Sequence, residues 1–226
     1  ERETAWREMA QQVAHEIKNP LTPMKLSIQH LLRTYDPKDP DSKIRIETLL
    51  SSLIEQIDGL TRIANEFSNF AQMPGPIKVE TDLIAIIKNA IALFESEVEI
   101  KIVLKTNLEA AILNIDKDQW GQALNNLIKN SLQALIEVDE AVIIISLEDK
   151  PEEDAYIIKV KDNGRGIKKE DLSKVFTPYF TTKSTGTGIG LFLVKQIVEN
   201  HNGTISFETK ENKGTTFSLV IPKTGN

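Results

Sequence analysis

His15-Glu16-Ile17-Lys18-Asn19-Pro20 sets an imidazole beside a carboxylate in a segment of helical pattern. Two positions along a helix is a turn of about 200°, so if Val13 and Ile17 face inward, His15 points away from them. Asn19 then lies one turn along on the same side. An outward imidazole that is largely neutral near pH 7 is nucleophilic, and a neighbouring carboxylate can take its other ring proton as a phosphoryl group arrives. Taken alone, an exposed histidine is as readily a plain surface residue. Asp162-Asn163-Gly164-Arg165-Gly166 and Gly186-Thr187-Gly188-Ile189-Gly190-Leu191 are the second group. Glycines ahead of a helix let backbone amides approach a phosphate, and the helix N-terminus favours its negative charge. A hairpin turn explains Asp-Asn-Gly equally well in isolation. Neither run is a Gly-Lys-Ser/Thr phosphate loop, and Gly188-Ile189-Gly190 does not follow a strand as a dinucleotide fingerprint does. In the third group, Asn126 and Asn130 are four apart, hence on one helical face. Amide oxygens there can bind Mg²⁺ that shares phosphate oxygens. Surface polarity is the simpler account of two asparagines by themselves.

The elements that must position these groups fall into two parts. Ile46, Leu50, Leu53, Ile57, Leu60, Ala64, Phe67 and Ala71 alternate spacings of four and three, a heptad seam. Ile17, Leu21, Met24, Ile28 and Leu31 form a matching seam upstream. Tyr35-Asp36-Pro37-Lys38-Asp39-Pro40-Asp41 stops one helix and starts the next. The pattern predicts a helical hairpin with one apolar stripe per helix, which two hairpins bury economically as a four-helix bundle. Packing of the stripe on the rest of the same chain is the alternative. Pro20 removes one helical hydrogen bond and is expected to bend the helix just past His15. Met73-Pro74-Gly75-Pro76 cannot continue a helix, so we expect domains at 1–73 and 77–226.

Beyond that boundary the pattern is mixed α and β. Helices are expected over 81–94, from a capping box at Asp116 and Gln119 to about Ile136, and over 189–200. Strands are expected over 100–106, 111–115, 141–147, 156–161, 204–209 and 215–221, in a sheet covered by helices on one face.

The 226-residue chain carries a net charge of −6 and no cysteine. That excludes disulfides and thiolate zinc, and gives no basic face for nucleic acid. No apolar run approaches the roughly 20 residues of a membrane-spanning helix. The N-terminal segment reads as beginning inside a helix, which places any sensor region upstream of Glu1.

In order and spacing these pieces resemble the histidine kinase family. His15-Glu16-x-x-Asn19-Pro20 looks like its phosphoacceptor box, Asn126-x-x-x-Asn130 its N box and Asp162-x-Gly164-x-Gly166 its first glycine box. Phe176-Thr177-Pro178-Tyr179-Phe180 and Gly186-x-Gly188-x-Gly190 look like its F box and second glycine box. The run from His15 to Met24 is most similar to sensor kinases of nitrogen regulation. The resemblance implies an α + α/β chain. A hairpin forming a dimeric four-helix bundle precedes an α/β sandwich ATP-binding domain of the Bergerat type, shared with Hsp90, gyrase and MutL. It further implies a cytoplasmic homodimer that phosphorylates its own His15 with ATP and Mg²⁺, passes the group to an aspartate of a response-regulator receiver domain, and dephosphorylates that regulator.

By the same resemblance, Glu16 is the base and Asn19 positions water for the phosphatase reaction. Asp162, helped by Gly166, binds the adenine amino group. Asn130 holds Mg²⁺, Asn126 supports the phosphates and Lys183 lies near them. Lys129, Gly164, Ile167, Phe180, Thr181, Thr182, Gly186, Thr187, Gly188, Gly190 and Leu191 complete the nucleotide site, with a lid over about 168–187. ATPase relatives carry a glutamate where this chain has Asn126, and losing that base favours transfer to an imidazole over hydrolysis. Ser131 replaces a frequent alanine and is given no role. His30 and His201 are read as structural, with Gly203 as a left-handed C-cap. The rivals are an ATPase of the Hsp90 or MutL type and a dimeric scaffold with a vestigial nucleotide site.

Overall fold

The computed structural model describes residues 2–36, 38, 39, 41–71, 75–95, 100–181 and 188–223. It contains two compact units, within Glu1–Met73 and within Pro74–Phe180 and Gly188–Asn226.

The first unit is a helical hairpin of α1 (Arg2–Thr34) and α2 (Ser42–Ala71). Its turn is held by local polar contacts. Asp36 accepts from the Lys38 amide at 2.9 Å and, through its carbonyl, from the Ser42 hydroxyl at 2.7 Å. Arg45 pairs with Asp39. α1 runs through both Pro20 and Pro23, each of which removes one N–H donor from the ladder just past His15. The expected single stripe divides in two. Ile17, Met24 and Leu31 on α1, with Ile46, Leu53, Leu60 and Phe67 on α2, are buried or half-buried. The alternate heptad positions, Leu21 and Ile28 on α1 and Leu50, Ile57 and Ala64 on α2, are exposed. Each set recurs every seven residues, so the hairpin has one covered seam and one open seam.

The second unit begins with β1 (Val79–Asp82), α3 (Leu83–Glu95), β2 (Lys101–Lys105), β3 (Ile112–Ile115) and α4 (Lys117–Ala134). β4 (Val142–Lys150), β5 (Ala155–Asp162), α5 (Gly190–Asn200), β6 (Thr204–Lys210) and β7 (Gly214–Pro222) follow. The main sheet has the order β2-β4-β5-β7-β6, antiparallel except for the parallel β2–β4 pair. Alternation along the strands buries Ile143, Ile145, Leu147, Ile158, Val160, Phe217 and Leu219 on the face that receives the helices. Against them α4 sets Trp120, Leu124, Leu127 and Ile128, all fully buried. Each such side chain contributes about 1.5–3 kcal/mol of burial.

Strand β3, expected in the main sheet, instead pairs with β1 in a separate two-stranded sheet. The short Val79–Asp82 run was expected in part as helix. Asp82 explains the difference, because its carboxylate accepts from both the Ile84 and Ala111 amides at 3.0 Å. It therefore starts α3 at Leu83 and fixes the chain leading into β3. Among the described residues, no helix is long and apolar enough to cross a membrane.

Candidate active site

His15 is exposed on α1, one position from the half-buried Glu16 and one turn from the exposed Asn19. Val13, on the other side of the helix, is buried. The outward direction expected from helical spacing is therefore the one adopted. An imidazole in that setting is open to an incoming electrophile.

Asn126, Asn130, Asp162 and the Gly188-Ile189-Gly190 run all lie in the second unit, and their scaffold is a locked pair of helices. The Asp116 carboxylate caps α4 by accepting from the Asp118 and Gln119 amides at 3.0 Å, and it also accepts from the Ile77 amide at 2.8 Å. Burial pushes this carboxyl up, but those three hydrogen bonds outweigh it and hold it below its ordinary value. Gln119 does not close the reciprocal capping box that its spacing suggested. The Asp116 amide donates to Nε2 of His201 at 3.0 Å instead. His201 Nδ1 lies 2.7 Å from the Ile197 carbonyl, so that nitrogen carries the proton and Nε2 accepts. The buried ring also packs edge-on to Trp120, with centroids 5.6 Å apart. Burial holds the His201 imidazole below its ordinary value, with Lys78 adding to the effect and the Ile197 carbonyl and Asp116 opposing it. His201 is structural, as expected, and joins the end of α5 to the start of α4.

The left-handed residue at the end of α5 is Asn202 (φ 59°), not Gly203. The Asn202 and Gly203 amides bond back to Glu199 and Val198 in a Schellman pattern. Gly203 is needed for another reason: a Cβ there would lie 2.5 Å from the Val220 carbonyl.

At the other end of the helix pair, the start of α5 meets the asparagine face of α4. The Asn126 amide nitrogen donates to the Gln122 carbonyl at 3.0 Å, which leaves its oxygen turned toward Gly190. A Cβ on Gly190 would lie 3.2 Å from that oxygen and 3.9 Å from Asn130 Nδ2, so a side chain here would crowd the Asn126 amide. Among the described residues, no side chain caps the first turn of α5. Its N–H groups and dipole lie beside Asn126 and Asn130, an arrangement chemically suited to an anion. Gly188 precedes this turn with φ 70°, Leu191 is half-buried within it, and Lys129 is exposed on α4.

Asp162 ends β5 and is 3% exposed. Its Oδ1 accepts from the Gly164 amide at 2.9 Å and the Thr215 amide at 3.2 Å, and its Oδ2 accepts from the Ser131 hydroxyl at 3.2 Å. The loop that follows is clamped on two sides. Asn163 donates to the Glu140 carbonyl and accepts from the Val142 amide. The Arg165 amide donates to Ala134 at the end of α4, and the Arg165 carbonyl accepts from Asn212 in the β6–β7 turn. Gly166 takes φ 69°, where a Cβ would lie 2.4 Å from the Lys210 carbonyl. The Ile167 amide donates to Thr209 Oγ1 at 3.0 Å. Sequence reasoning missed Ser131, Thr209 and Thr215 as members of this network. Only Ser131 carried a signal, as the departure from alanine beside Asn130.

Within the expected lid, 168–170 and 172–174 are exposed and the packed part begins at Val175. Val175 and Tyr179 are buried, and Phe176 stacks edge-to-face on Phe207 and Phe217 at 5.7 and 6.4 Å. Phe180 is half-buried with the Lys174 ammonium 5.7 Å from its ring centre, and Thr181 is exposed. Thr182, Lys183, Gly186 and Thr187 lie outside the described residues.

Residues 5–76 match the family model described as His Kinase A (phospho-acceptor) domain, and residues 115–225 match that of the histidine kinase-, DNA gyrase B- and HSP90-like ATPase. The catalytic domain of the histidine kinase ThkA, in a nucleotide-free form, is 32% identical over 65% of this chain and 95% of that one, with a TM-score of 0.58. The chain belongs to the histidine kinase family. Over 99% of the kinase chain and 63% of the other, a crystal structure of ThkA in complex with the response regulator protein TrrA aligns with a TM-score of 0.70 at 28% identity. The nitrogen regulation protein NtrY of Azorhizobium caulinodans is 32% identical over the whole kinase chain and 30% of its own length. The kinase chain spans about a third of the length of the curated relatives it matches.

Proposed function

We propose that this chain is the catalytic core of a sensor histidine kinase that moves the γ-phosphoryl group of ATP onto its own His15. The observation that carries the reading is the exposed imidazole of His15, set beside Glu16 on a helix whose opposite side is buried. An ATPase of the same nucleotide fold needs no such side chain. In the transfer, a ring nitrogen of His15 bonds to the γ-phosphorus while the bond from that phosphorus to the β–γ bridging oxygen breaks and ADP leaves. Glu16 takes the proton from the other ring nitrogen.

Within the residues 77–226, which we assign as the ATP-binding domain, Asp162 accepts the amino group of adenine. Asn126, Gly188, Gly190 and the first turn of α5 receive the phosphates, helped by Lys129 and Lys183. Asn130 supplies the protein oxygen for Mg²⁺, which neutralises phosphate charge when bound. The described residues hold no cluster of three or more His, Cys, Asp or Glu to bind a metal. A single amide and shared phosphate oxygens suit Mg²⁺, which keeps most of its waters. Residues 1–73 form the dimerisation and phosphotransfer domain, and the open seam of Leu21, Ile28, Leu50 and Ile57 supports homodimerisation. Phosphohistidine then passes its group to a response-regulator aspartate, with Asn19 positioning water in the reverse, phosphatase direction. The complex of ThkA with a response regulator supports that partner class. Use of ATP and of a response-regulator partner supports a cytoplasmic location for this core.

Incubation with γ-labelled ATP tests the reading. Acid-labile, alkali-stable label on the protein is expected, and His15→Gln abolishes it while nucleotide affinity stays within about twofold. Steady phosphate release without labelled protein would overturn the transfer in favour of hydrolysis.

A further inference from the structure

We infer that Ser131 is a positioning residue of the nucleotide site: its hydroxyl, donated to Oδ2 of Asp162, fixes the plane of the carboxylate that faces the base. The inference rests on the proposed role of Asp162 and adds a residue to it. Ser131 is 2% exposed and sits on α4 one position after Asn130, so one helix carries both the metal-side amide and the base-side hydroxyl.

The need for such a donor follows from the shape of the group. The terminal torsion of an aspartate is broad, so a carboxylate held through one oxygen can still swing about it. The Gly164 and Thr215 amides both bond to Oδ1. Ser131 is bonded to the other oxygen, at 3.2 Å. Each carboxylate oxygen offers about two lone-pair sites. The Ser131 bond sets the direction in which Oδ2 can accept from a ligand N–H. Alanine at this position would leave both main-chain bonds in place and remove the hydroxyl that orients the second oxygen. The expected defect is therefore one of aim, with the fold retained.

Calorimetric binding of ADP and of purine riboside diphosphate, the same ligand without its 6-amino group, separates aim from fold. The unaltered chain should prefer ADP. Ser131→Ala should lose about fivefold to tenfold of its ADP affinity, the size of one ordinary hydrogen bond, with purine riboside diphosphate binding unchanged. In an Asp162→Asn background the same change should have no further effect on the preference. Equal weakening of both ligands, or a preserved preference, would overturn the role of Ser131 while leaving Asp162 in place. No preference in the unaltered chain would remove the reading of Asp162 and this inference together.

Discussion

In the proposed function Asp162 serves binding and His15 serves transfer, so single substitutions should separate the two. Asp162→Asn replaces an acceptor-only group by an amide, so the Ser131 hydroxyl and the Gly164 and Thr215 amides meet a side chain that is half donor. We expect nucleotide affinity to fall about tenfold to a hundredfold, read by calorimetry, since hydrogen bonds to charged groups are at stake. The exposure of His15 was legible from helical spacing alone, because Val13 and Ile17 had to point the other way. Ser131 was not legible. Its meaning depends on a contact with a residue 31 positions away, and no local pattern encodes which side chain a tertiary fold will bring to a carboxylate.

Helices and strands of strong period were placed from sequence to within one or two residues, as with α5 and β6, because their buried faces repeat at 3.6 or 2. What failed was punctuation. Four residues ahead of α3 became a strand through the carboxylate of Asp82, and the Asp116 box exchanged Gln119 for His201, 85 residues along the chain. That exchange has a measurable consequence. An imidazole held below 6.5 by burial stays neutral in the folded protein while the unfolded chain takes up a proton. Stability is therefore fully present above the ordinary value and is lost as pH falls from there through the depressed one. Protonation would also set an Nε2–H against the Asp116 amide. Thermal melting of the isolated chain should fall between about pH 7 and pH 5.5. His201→Gln should be less stable at pH 7.5 and show a flatter slope across that range. The Asp116 carboxylate acts in a separate window: its contribution persists until the pH falls through the carboxylate range.

For the whole molecule, the open seam of the hairpin predicts its association. Leu50 and Ile57 are 50% and 52% exposed in a single chain, with Leu21 at 48% on the other helix. Leu50→Glu combined with Ile57→Glu should convert a dimer to a monomer in analytical ultracentrifugation and leave ADP binding unaltered. The heptads announced a bundle, but only the split between covered and open positions says which residues another subunit must bury. The second unit has its own global property, set by where along the chain its clamps come from. Asp162 is held by the amide of Thr215, 53 residues further along, and Gly166 abuts the turn after Lys210, so both clamps come from well downstream of the residues they hold. During translation, α4 and the glycine loop emerge long before the segment that tightens them. Nucleotide capture by a ribosome-bound chain is therefore expected only after β6 and β7 have cleared the exit tunnel.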